Sequence, residues 1–432
     1  QRAGRDCLAI AHVAQTLTAA LQTHGMLTLY QEMENPLVRV LARMEHLGIA
    51  VDVVQLKSIA ARLTAEVGEL SLALQAVVGH PFNTNSPAQL GKILFEERGL
   101  TPPRKTKTGY STDVATLEKL RDSWPEFIDP LMRYREVEKL RGTYGEGLLS
   151  EVAADGRIHA TFNQTVTRTG RLSSDQPNLH NIPVRTEEGR IFRTAFVPSA
   201  GWRLMVADYN QIELRCIAHL AQDPGLIAAF TTGQDVHSAT AARVFGVEES
   251  AVTHEQRSKA KMVSYGLAYG MEAFGLGQRL GIRTDEAATI LDAYFAAFPN
   301  VQSYMDDTVA QAKSRGYTET LFGRRRRIPE LDSSNFRIRQ AGERQAMNAA
   351  IQGLAADIFK IALIRIDQAL SDSALASRLV LQVHDEVLVE SPLNEVEVVD
   401  ALVLQIMEQA TKLDVPLAVN SAWGSTWAEA KS

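Results

Sequence analysis

The sequence predicts an α+β protein with a helical arm, a mixed sheet region and a helical insertion. Residues 37–150 carry apolar side chains at three- and four-residue spacing, which is typical of amphipathic helices. From Ile158 the pattern changes to strands and turns, and helical spacing returns from Pro224 to about Gln311. The run RLVLQVHDEVLVESP near the C-terminus has two β-rich stretches around a polar centre, which indicates a hairpin.

Composition is that of an ordinary soluble protein. The 432 residues are 45% hydrophobic and 22% charged, which is enough for two or three packed domains. No apolar run approaches the roughly 18–20 residues that span a bilayer, so we expect a cytoplasmic protein without a membrane partner. Cys7 and Cys216 are too far apart in sequence to indicate a disulfide framework or a zinc site, and Cys216 is predicted to be a buried structural thiol.

Charge is distributed unevenly along the chain. The net charge of −6 argues mildly against a nucleic-acid partner. Between Gly323 and Arg344, however, there are seven arginines against three acids, and Thr101–Thr112 carries three cations and no acid. A solvated surface and a polyanion-binding surface are both open interpretations for each patch. The cations concerned are Arg324, Arg325, Arg326, Arg327, Arg337, Arg339 and Arg344 in the first patch, and Arg104, Lys105 and Lys107 in the second.

Two carboxylates stand where apolar strands end. Asp208 closes the strand RLMVAD, and Asp385 lies between His384 and Glu386 at the centre of the predicted hairpin. Burying either carboxylate without a partner would be costly. Mg²⁺ prefers one or two carboxylates together with substrate phosphates, and two such ions about 3.5–4 Å apart can serve phosphoryl transfer. A turn or cap role is the ordinary interpretation for one aspartate alone, whereas the pair beside a cationic helix favours a metal site.

That cationic helix is predicted from QRSKAKMVSYGLAYG, residues 256–270, which contains no proline. Arg257, Lys261, Tyr265 and Tyr269 follow one another four residues apart and therefore share one face. The two cations could neutralise a triphosphate, and the next ring could stack on the attached base. An exposed cation pair that precedes buried tyrosines is the alternative, and spacing alone does not exclude it.

Three motifs in order resemble those of family A DNA polymerases. DYNQIELR is similar to motif A, RSKAKMVSYGLAYG to motif B and QVHDEV to motif C. Further likeness extends from about residue 30 to the end of the chain. The resemblance implies a right-hand architecture with an antiparallel-sheet palm, helical fingers and a helical thumb. The implied boundaries are 31–150 for the thumb, 151–223 and 331–432 for the palm, 224–330 for the fingers, and 1–30 for an end helix of a 3′–5′ exonuclease-like domain.

The resemblance also implies a set of catalytic and nucleotide-binding residues. Asp208 and Asp385, with the Tyr209 carbonyl, correspond to the ligands of two Mg²⁺ ions, for which Mn²⁺ can substitute, and Glu386 corresponds to a supporting carboxylate. Arg257 and Lys261 correspond to triphosphate contacts, Lys261 also being placed to protonate the leaving pyrophosphate. The remaining implied nucleotide contacts are Gln211 beside the nucleotide, Glu213 closing the sugar pocket to a 2′-hydroxyl, His237 at the phosphates, and Tyr265 on the helix face.

Contacts with primer–template DNA are implied in the same way. The minor-groove positions correspond to Arg171, Arg344, Asn348, Gln352 and His384, and Tyr269 corresponds to the ring that stacks at the templating position. Asn210, His180 and Ala350 depart from the residues common in the family, but none of them replaces a catalytic group.

The sequence therefore predicts a monomeric, template-directed DNA polymerase that uses deoxynucleoside triphosphates and acts in the cytoplasm at the bacterial nucleoid. A catalytically inactive primer–template binding protein is the main alternative, and a metal-dependent nuclease ranks last. In the first thirty residues, Asp6 and Ile10 fall on the Tyr-x₃-Asp pair of the exonuclease helix. We therefore expect a linker helix that packs against the thumb, no proofreading by this chain, and a longer parent protein.

Overall fold

The computed structural model describes residues 2–103, 105–106, 109–183, 186–268 and 270–431. It is mostly helical with small antiparallel sheets, which confirms the predicted α+β class. The helices are α1 (Arg2–Thr23), α2 (Leu27–Leu29), α3 (Asn35–Leu47), α4 (Val53–Val78), α5 (Pro87–Lys92), α6 (Val114–Leu120), α7 (Pro125–Leu140), α8 (Gly147–Ser150), α9 (Glu187–Arg193), α10 (Ile212–Ala221), α11 (Pro224–Thr231), α12 (Val236–Phe245), α13 (His254–Ala268), α14 (Ala273–Leu280), α15 (Thr284–Ala297), α16 (Pro299–Arg315), α17 (Phe336–Asp372), α18 (Val396–Glu408) and α19 (Trp427–Ala430).

The strands form one four-stranded sheet and several two-stranded ribbons. They are β1 (Ile49–Ala50), β2 (Lys105–Thr106), β3 (Gly109–Tyr110), β4 (Arg157–Ile158), β5 (Thr161–Asn163), β6 (Ser173–Asp175), β7 (Trp202–Tyr209), β8 (Tyr317–Glu319), β9 (Arg325–Arg327), β10 (Arg378–Val383), β11 (Glu386–Pro392) and β12 (Val419–Gly424). The large sheet has the order β10-β11-β7-β12, and each neighbouring pair is antiparallel. The β10–β11 pair is the hairpin that the C-terminal sequence predicts.

The chain divides into two compact units. One unit comprises Ile49–His159 and Asn181–Val197. Its helices α4 and α7 pack on a core that includes Leu74, Leu94 and Phe127, because the apolar stripe of each helix faces its neighbour. Asp52 caps α4 by accepting the Gln55 backbone N–H at 2.9 Å. Helices α4 and α7 of this unit confirm the long helices predicted from the periodicity of residues 37–150, whereas α3 of the same stretch belongs to the other unit.

The other unit comprises Gln1–Gly48, Ala160–His180 and Pro198–Ser432 and contains the four-stranded sheet. Strands β7 and β11 are buried along almost their whole length. The apolar run of β7 is typical of a buried strand, whereas β11 buries Glu386, Glu390 and Ser391 beside its apolar centre. The 37-residue helix α17 has buried residues along most of its length, among them Leu354, Ile358 and Leu363. Cys216 is buried in α10, as predicted, and burial raises the pKa of its thiol.

The cationic helix is shorter than the sequence predicts. Helix α13 is described from His254 to Ala268, and Gly270 has a φ of +63°, a left-handed conformation that cannot continue a right-handed helix. A Cβ atom at Gly270 would lie 3.0 Å from Asn348 Oδ1, so glycine also allows a close approach to α17. The prediction of a continuous helix to Gly270 is therefore wrong at its end.

The arginine-rich segment is only partly a surface patch. Arg324 is largely buried, where its Nε donates to Asp357 Oδ1 at 2.6 Å and its guanidinium also pairs with Glu34. Lys360 pairs with the same Glu34 at 2.7 Å. The interpretation of all seven arginines as one exposed cationic surface is wrong for Arg324, because acids distant in sequence neutralise it within the unit.

Helix α1 exposes a row of large apolar side chains. Leu8, Ile10 and Leu17 are 73%, 66% and 58% exposed. Asp6 and Ile10, which correspond to the exonuclease pair, both lie on this exposed helix. Among the described residues, no helix combines the length and the apolar character needed to cross a membrane.

Candidate active site

The register of the large sheet brings the predicted carboxylates together. Asp208 at the end of β7 stands opposite Glu386, the first residue of β11. Asp385 occupies the turn before β11, and its backbone carbonyl accepts the Tyr209 N–H at 3.2 Å. The Tyr209 hydroxyl points away into the core, where it donates to the Met407 carbonyl at 2.7 Å. His384 has a φ of +59°, so the tight turn holds a non-glycine residue in the left-handed region.

Electrostatics at this point of the sheet favour a bound cation. Burial, followed by the nearby Asp208 carboxylate, raises the pKa of Asp385 to about 7. Within the described residues, no group of three or more His, Cys, Asp or Glu side chains is placed to hold a metal ion. Two neighbouring carboxylates, however, are the protein ligands that Mg²⁺ uses when substrate phosphates complete its shell. The residues present therefore fit the metal site that the sequence predicts.

A lysine cation already contacts these carboxylates. Lys431 Nζ lies 3.1 Å from Asp208 Oδ2 and also pairs with Glu386 Oε2. Glu386 is buried and accepts the indole N–H of Trp427 at 2.8 Å through its other oxygen. The Lys431 ammonium thus pairs with both Asp208 and Glu386.

Side-chain contacts connect Gln211, which follows Asp208 in sequence, to the cationic helix. Gln211, three residues after Asp208, places Nε2 at 3.5 Å from His237 Nε2 on α12. The His237 ring centroid lies 5.7 Å from that of Tyr265 on α13. Burial lowers the pKa of His237 to about 4, so the ring is neutral at pH 7. The structure therefore brings the carboxylates, His237 and the Tyr265 face of α13 into one region.

The two predicted triphosphate contacts differ in their surroundings. Arg257 donates to Asp235 Oδ2 through Nη2 at 2.6 Å and through Nε at 3.1 Å. Lys261 lies one turn later on α13 and is exposed. Asp235 also caps α12, because its Oδ1 accepts the backbone N–H groups of His237 and Ser238.

Glu213, which is predicted to close the sugar pocket to a 2′-hydroxyl, forms an ion pair. Glu213 is buried near the start of α10, and its Oε1 lies 2.5 Å from Arg171 Nη2. Arg171 also lines a small pocket with His384 and Asp385. Burial, with the nearby cations Arg171 and Lys431 contributing further, lowers the pKa of His384. The carboxylates and the predicted DNA contacts Arg171 and His384 therefore lie side by side.

The other predicted DNA contacts lie along α17. Arg344 pairs with Glu272 at 3.1 Å, and Gln352 is half-buried two turns further along the helix. Within the described residues, the buried Asn348 Oδ1 accepts no hydrogen bond. Three polar residues spaced four apart share one helix face, which is the arrangement that contacts along a groove require.

Comparison with known proteins identifies the family. The model of DNA polymerase family A matches residues 53–429. The chain belongs to DNA polymerase family A. Among curated relatives of this family A chain, DNA polymerase I of Bacillus subtilis is 48% identical over 99% of the chain and 49% of the relative. DNA polymerase I of Mycobacterium tuberculosis is 50% identical over 97% of the chain and 46% of the relative. The chain thus spans about half the length of these curated relatives.

A solved structure of the same family is also similar. The POL domain of Pol1 from M. smegmatis, in complex with DNA primer-template and dNTP, matches with a TM-score of 0.94 at 47% identity. The match covers 98% of this family A chain and 75% of the mycobacterial chain. The mostly helical fold with small antiparallel sheets is therefore that of a family A polymerase domain.

Sequence reasoning about this family A chain missed three partners of the predicted site residues. Asp235 could have been recognised, because an aspartate directly before a helix is a capping signal. Glu272 and Lys431 had no such signal, since Lys431 reaches Asp208 across 223 residues of sequence. Tyr269 and much of the basic segment, including Arg104 and Lys107, lie outside the described residues.

Proposed function

We propose that this chain is a template-directed DNA polymerase that adds deoxynucleotides to a primer 3′ end by two-metal phosphoryl transfer. The observation that carries this proposal is the contact of Gln211, three residues after Asp208, with His237, and of the His237 ring with Tyr265 on the cationic helix. It brings a carboxylate pair that is suited to bind Mg²⁺ near a helix face that is suited to bind a triphosphate. The mycobacterial structure, whose name includes DNA primer-template and dNTP, supports the same substrates for this chain.

The proposed metal site consists of Asp208, Asp385 and the Tyr209 carbonyl, with Glu386 in support. Two Mg²⁺ ions held there, or Mn²⁺ in their place, would activate the primer 3′-hydroxyl and stabilise the leaving pyrophosphate. Burial and the negative charge of Asp208 both disfavour the ionised form of Asp385. A bound cation would offset both effects.

Nucleotide binding is proposed to use the exposed end of α13 and the neutral ring on α12. Arg257 and Lys261 bind the triphosphate oxygens, and Lys261 is proposed to protonate the leaving pyrophosphate. His237, neutral at pH 7, offers a ring N–H to the phosphates without adding charge. Gln211 and Glu213 lie beside the sugar, and Glu213 fills the space of a 2′-hydroxyl.

Primer–template DNA is proposed to bind beside the same carboxylates. Hydrogen-bond acceptors in the minor groove occupy similar positions in every correct pair, so polar side chains there can test pair geometry without reading sequence. The residues proposed for this role are Arg171, Arg344, Asn348, Gln352 and His384, and Tyr269 is proposed to stack at the templating position. The thumb, palm and fingers boundaries predicted above, a monomeric state and a cytoplasmic location at the nucleoid belong to the same proposal.

The deciding experiment is primer extension with Mg²⁺ and the four deoxynucleoside triphosphates. We expect extension by the wild-type chain and none by Asp208→Asn or Asp385→Asn, with primer–template affinity nearly unchanged, because the ions serve chemistry while cationic side chains serve DNA binding. Affinity should also fall steeply between low and moderate salt, as release of several counterions requires. Binding without extension by the wild-type chain would instead indicate an inactive accessory protein.

We propose in addition that this chain does not proofread. On the exposed helix α1, Ile10 stands where the exonuclease pair has its aspartate, so the metal-binding carboxylate of that pair is replaced by an apolar side chain. A primer with a mismatched 3′ end should therefore keep its length when it is incubated with the protein and Mg²⁺ without nucleotides. Shortening of that primer by one or more residues would contradict this part of the proposal.

A further inference from the structure

The C-terminal segment carries a cation to the carboxylates. Strand β12 pairs with β7 so that Asn420 stands opposite Asp208, and α19 follows after a tight turn. Trp427 on α19 is fully buried, and its indole N–H donates to Glu386 Oε1 at 2.8 Å. This anchor fixes the position from which the Lys431 side chain reaches back to the sheet.

The two contacts of Lys431 differ in their exposure to solvent. Its partner Glu386 has a side chain that is only 4% exposed, whereas the Asp208 side chain is 35% exposed. Lys431 itself is 24% exposed and lies 3.1 Å from Asp208 Oδ2. An incoming ion would therefore reach the Asp208 side of the bridge first, while the contact with Glu386 is shielded.

We propose that Lys431 is a positioning residue that sets the metal affinity of the site: its ammonium holds the Asp208 carboxylate until a divalent cation displaces it, and it remains attached to Glu386. This inference rests on the proposed function, because it takes Asp208 as a metal ligand. The two cations compete for one carboxylate oxygen, and like charges in contact would repel. Lys431 thus keeps the carboxylates neutralised between binding events and makes the bound ion easier to release.

The inference predicts tighter metal binding when the lysine charge is removed. We would titrate Mn²⁺ into the nucleotide-free protein at constant pH and ionic strength and follow free Mn²⁺ by electron paramagnetic resonance. Lys431→Met should bind Mn²⁺ roughly threefold to tenfold more tightly than wild type, which is the range expected for losing a partly exposed charge competitor. Lys431→Arg, which keeps the charge, should stay within about twofold of wild type.

One further variant controls for the loss of a lysine elsewhere in the protein, and another replaces Lys431→Met if that variant does not fold. Lys139→Met removes an exposed lysine from α7 in the other compact unit and should leave Mn²⁺ affinity unchanged. Lys431→Gln removes the charge but keeps a hydrogen-bond donor, and it replaces Lys431→Met in the titration if that variant is not folded by circular dichroism. Unchanged or weaker Mn²⁺ binding by the folded, uncharged variant would overturn the inference and leave Lys431 as a clamp for the C-terminal segment.

The Asp208→Asn variant separates failure of this inference from failure of the proposed metal site. If Asp208→Asn weakens Mn²⁺ binding while Lys431→Met does not tighten it, the metal site stands and the role of Lys431 is wrong. If Asp208→Asn leaves Mn²⁺ binding unchanged, both the metal assignment of Asp208 and the inference fall. If both variants act as expected, Lys431→Met should no longer increase Mn²⁺ affinity when it is combined with Asp208→Asn. The reason is that the lysine and the metal ion compete for the same carboxylate.

Discussion

Arg257 and Asp235 form an ion pair in which two guanidinium nitrogens donate to one carboxylate oxygen, at 2.6 Å and 3.1 Å. The same aspartate caps α12 through its other oxygen. Asp235 therefore links the helix that carries His237 to the helix that carries the predicted triphosphate contact. A triphosphate that binds Arg257 has to compete with Asp235 for the guanidinium.

We predict that Asp235→Asn lowers the KM for deoxynucleotides by roughly threefold to tenfold with little change in kcat. Asparagine keeps the capping acceptor but removes the competing charge, so α12 should remain intact. Steady-state primer extension at varied nucleotide concentration measures the effect. Asp285→Asn is a matched control, since Asp285 forms a similar ion pair with Arg283 at 2.6 Å and neither residue is a predicted site residue. A raised KM for Asp235→Asn would mean that the pair orients Arg257 rather than competing for it.

Glu213→Ala is expected to increase ribonucleotide incorporation relative to deoxynucleotide incorporation by about tenfold, the factor that roughly 1.4 kcal/mol of relieved steric repulsion produces. Because Glu213 is paired with Arg171, the alanine variant also leaves a cation without its partner. Glu213→Gln separates the two effects, since glutamine keeps the volume and loses the charge. Competition between ribo- and deoxynucleotides in single-nucleotide extension decides the matter, and relaxed discrimination by Glu213→Gln would argue against a steric gate.

Tyr265→Phe is expected to make primer extension by this protein several-fold more resistant to chain termination by dideoxynucleotides. The Tyr265 hydroxyl can fill the space near C3′ when the nucleotide lacks its own 3′-hydroxyl, whereas phenylalanine leaves that space empty. The contact with the His237 ring should survive this change, because it depends on the aromatic ring and not on the hydroxyl. Termination ladders at equal dideoxy-to-deoxy ratios test the prediction, and identical ladders would show that Tyr265 does not face the sugar.

His180 gives the folded protein a predictable sensitivity to acid. Burial, followed by the nearby His384, lowers the pKa of His180 to about 4, and the neutral ring accepts a hydrogen bond from Gln382 Nε2 at 3.0 Å. The unfolded chain binds a proton at this residue near pH 6.5 and the folded chain only near pH 4. Stability from His180 is therefore fully present above pH 6.5 and is lost as the pH falls toward 4, by up to about 3 kcal/mol.

The corresponding prediction is that His180→Gln flattens the acid side of the stability profile. Thermal unfolding of both proteins between pH 4 and pH 7 should show a difference in Tm that shifts in favour of the variant as the pH falls. His384 also has a pKa lowered by burial, so some acid sensitivity should remain in the variant. Parallel profiles for the two proteins would contradict the assignment of this sensitivity to His180.

Features that depend on neighbours along the chain could be predicted from the sequence. Periodicity predicted the helices of residues 37–150, and the apolar runs around His384 predicted the β10–β11 hairpin. Three short motifs in order predicted the family. The predicted site residues Asp208, Asp385 and Tyr265 lie in those motifs, and His237 lies in another segment that resembles the family. These features are local, so side-chain type and spacing are sufficient to predict them.

Which charges meet depends on the tertiary structure. Sheet register places Glu386 opposite Asp208, and the anchored end of the chain adds Lys431 to the same carboxylate. Packing likewise buries Arg324 against Asp357, although its sequence context indicates an exposed patch. Such partners are separated by tens to hundreds of residues, and their pairing depends on the register and packing of elements rather than on any local pattern. Burial then sets the pKa of Asp385 and His237, because the loss of solvation depends on every element that surrounds the group.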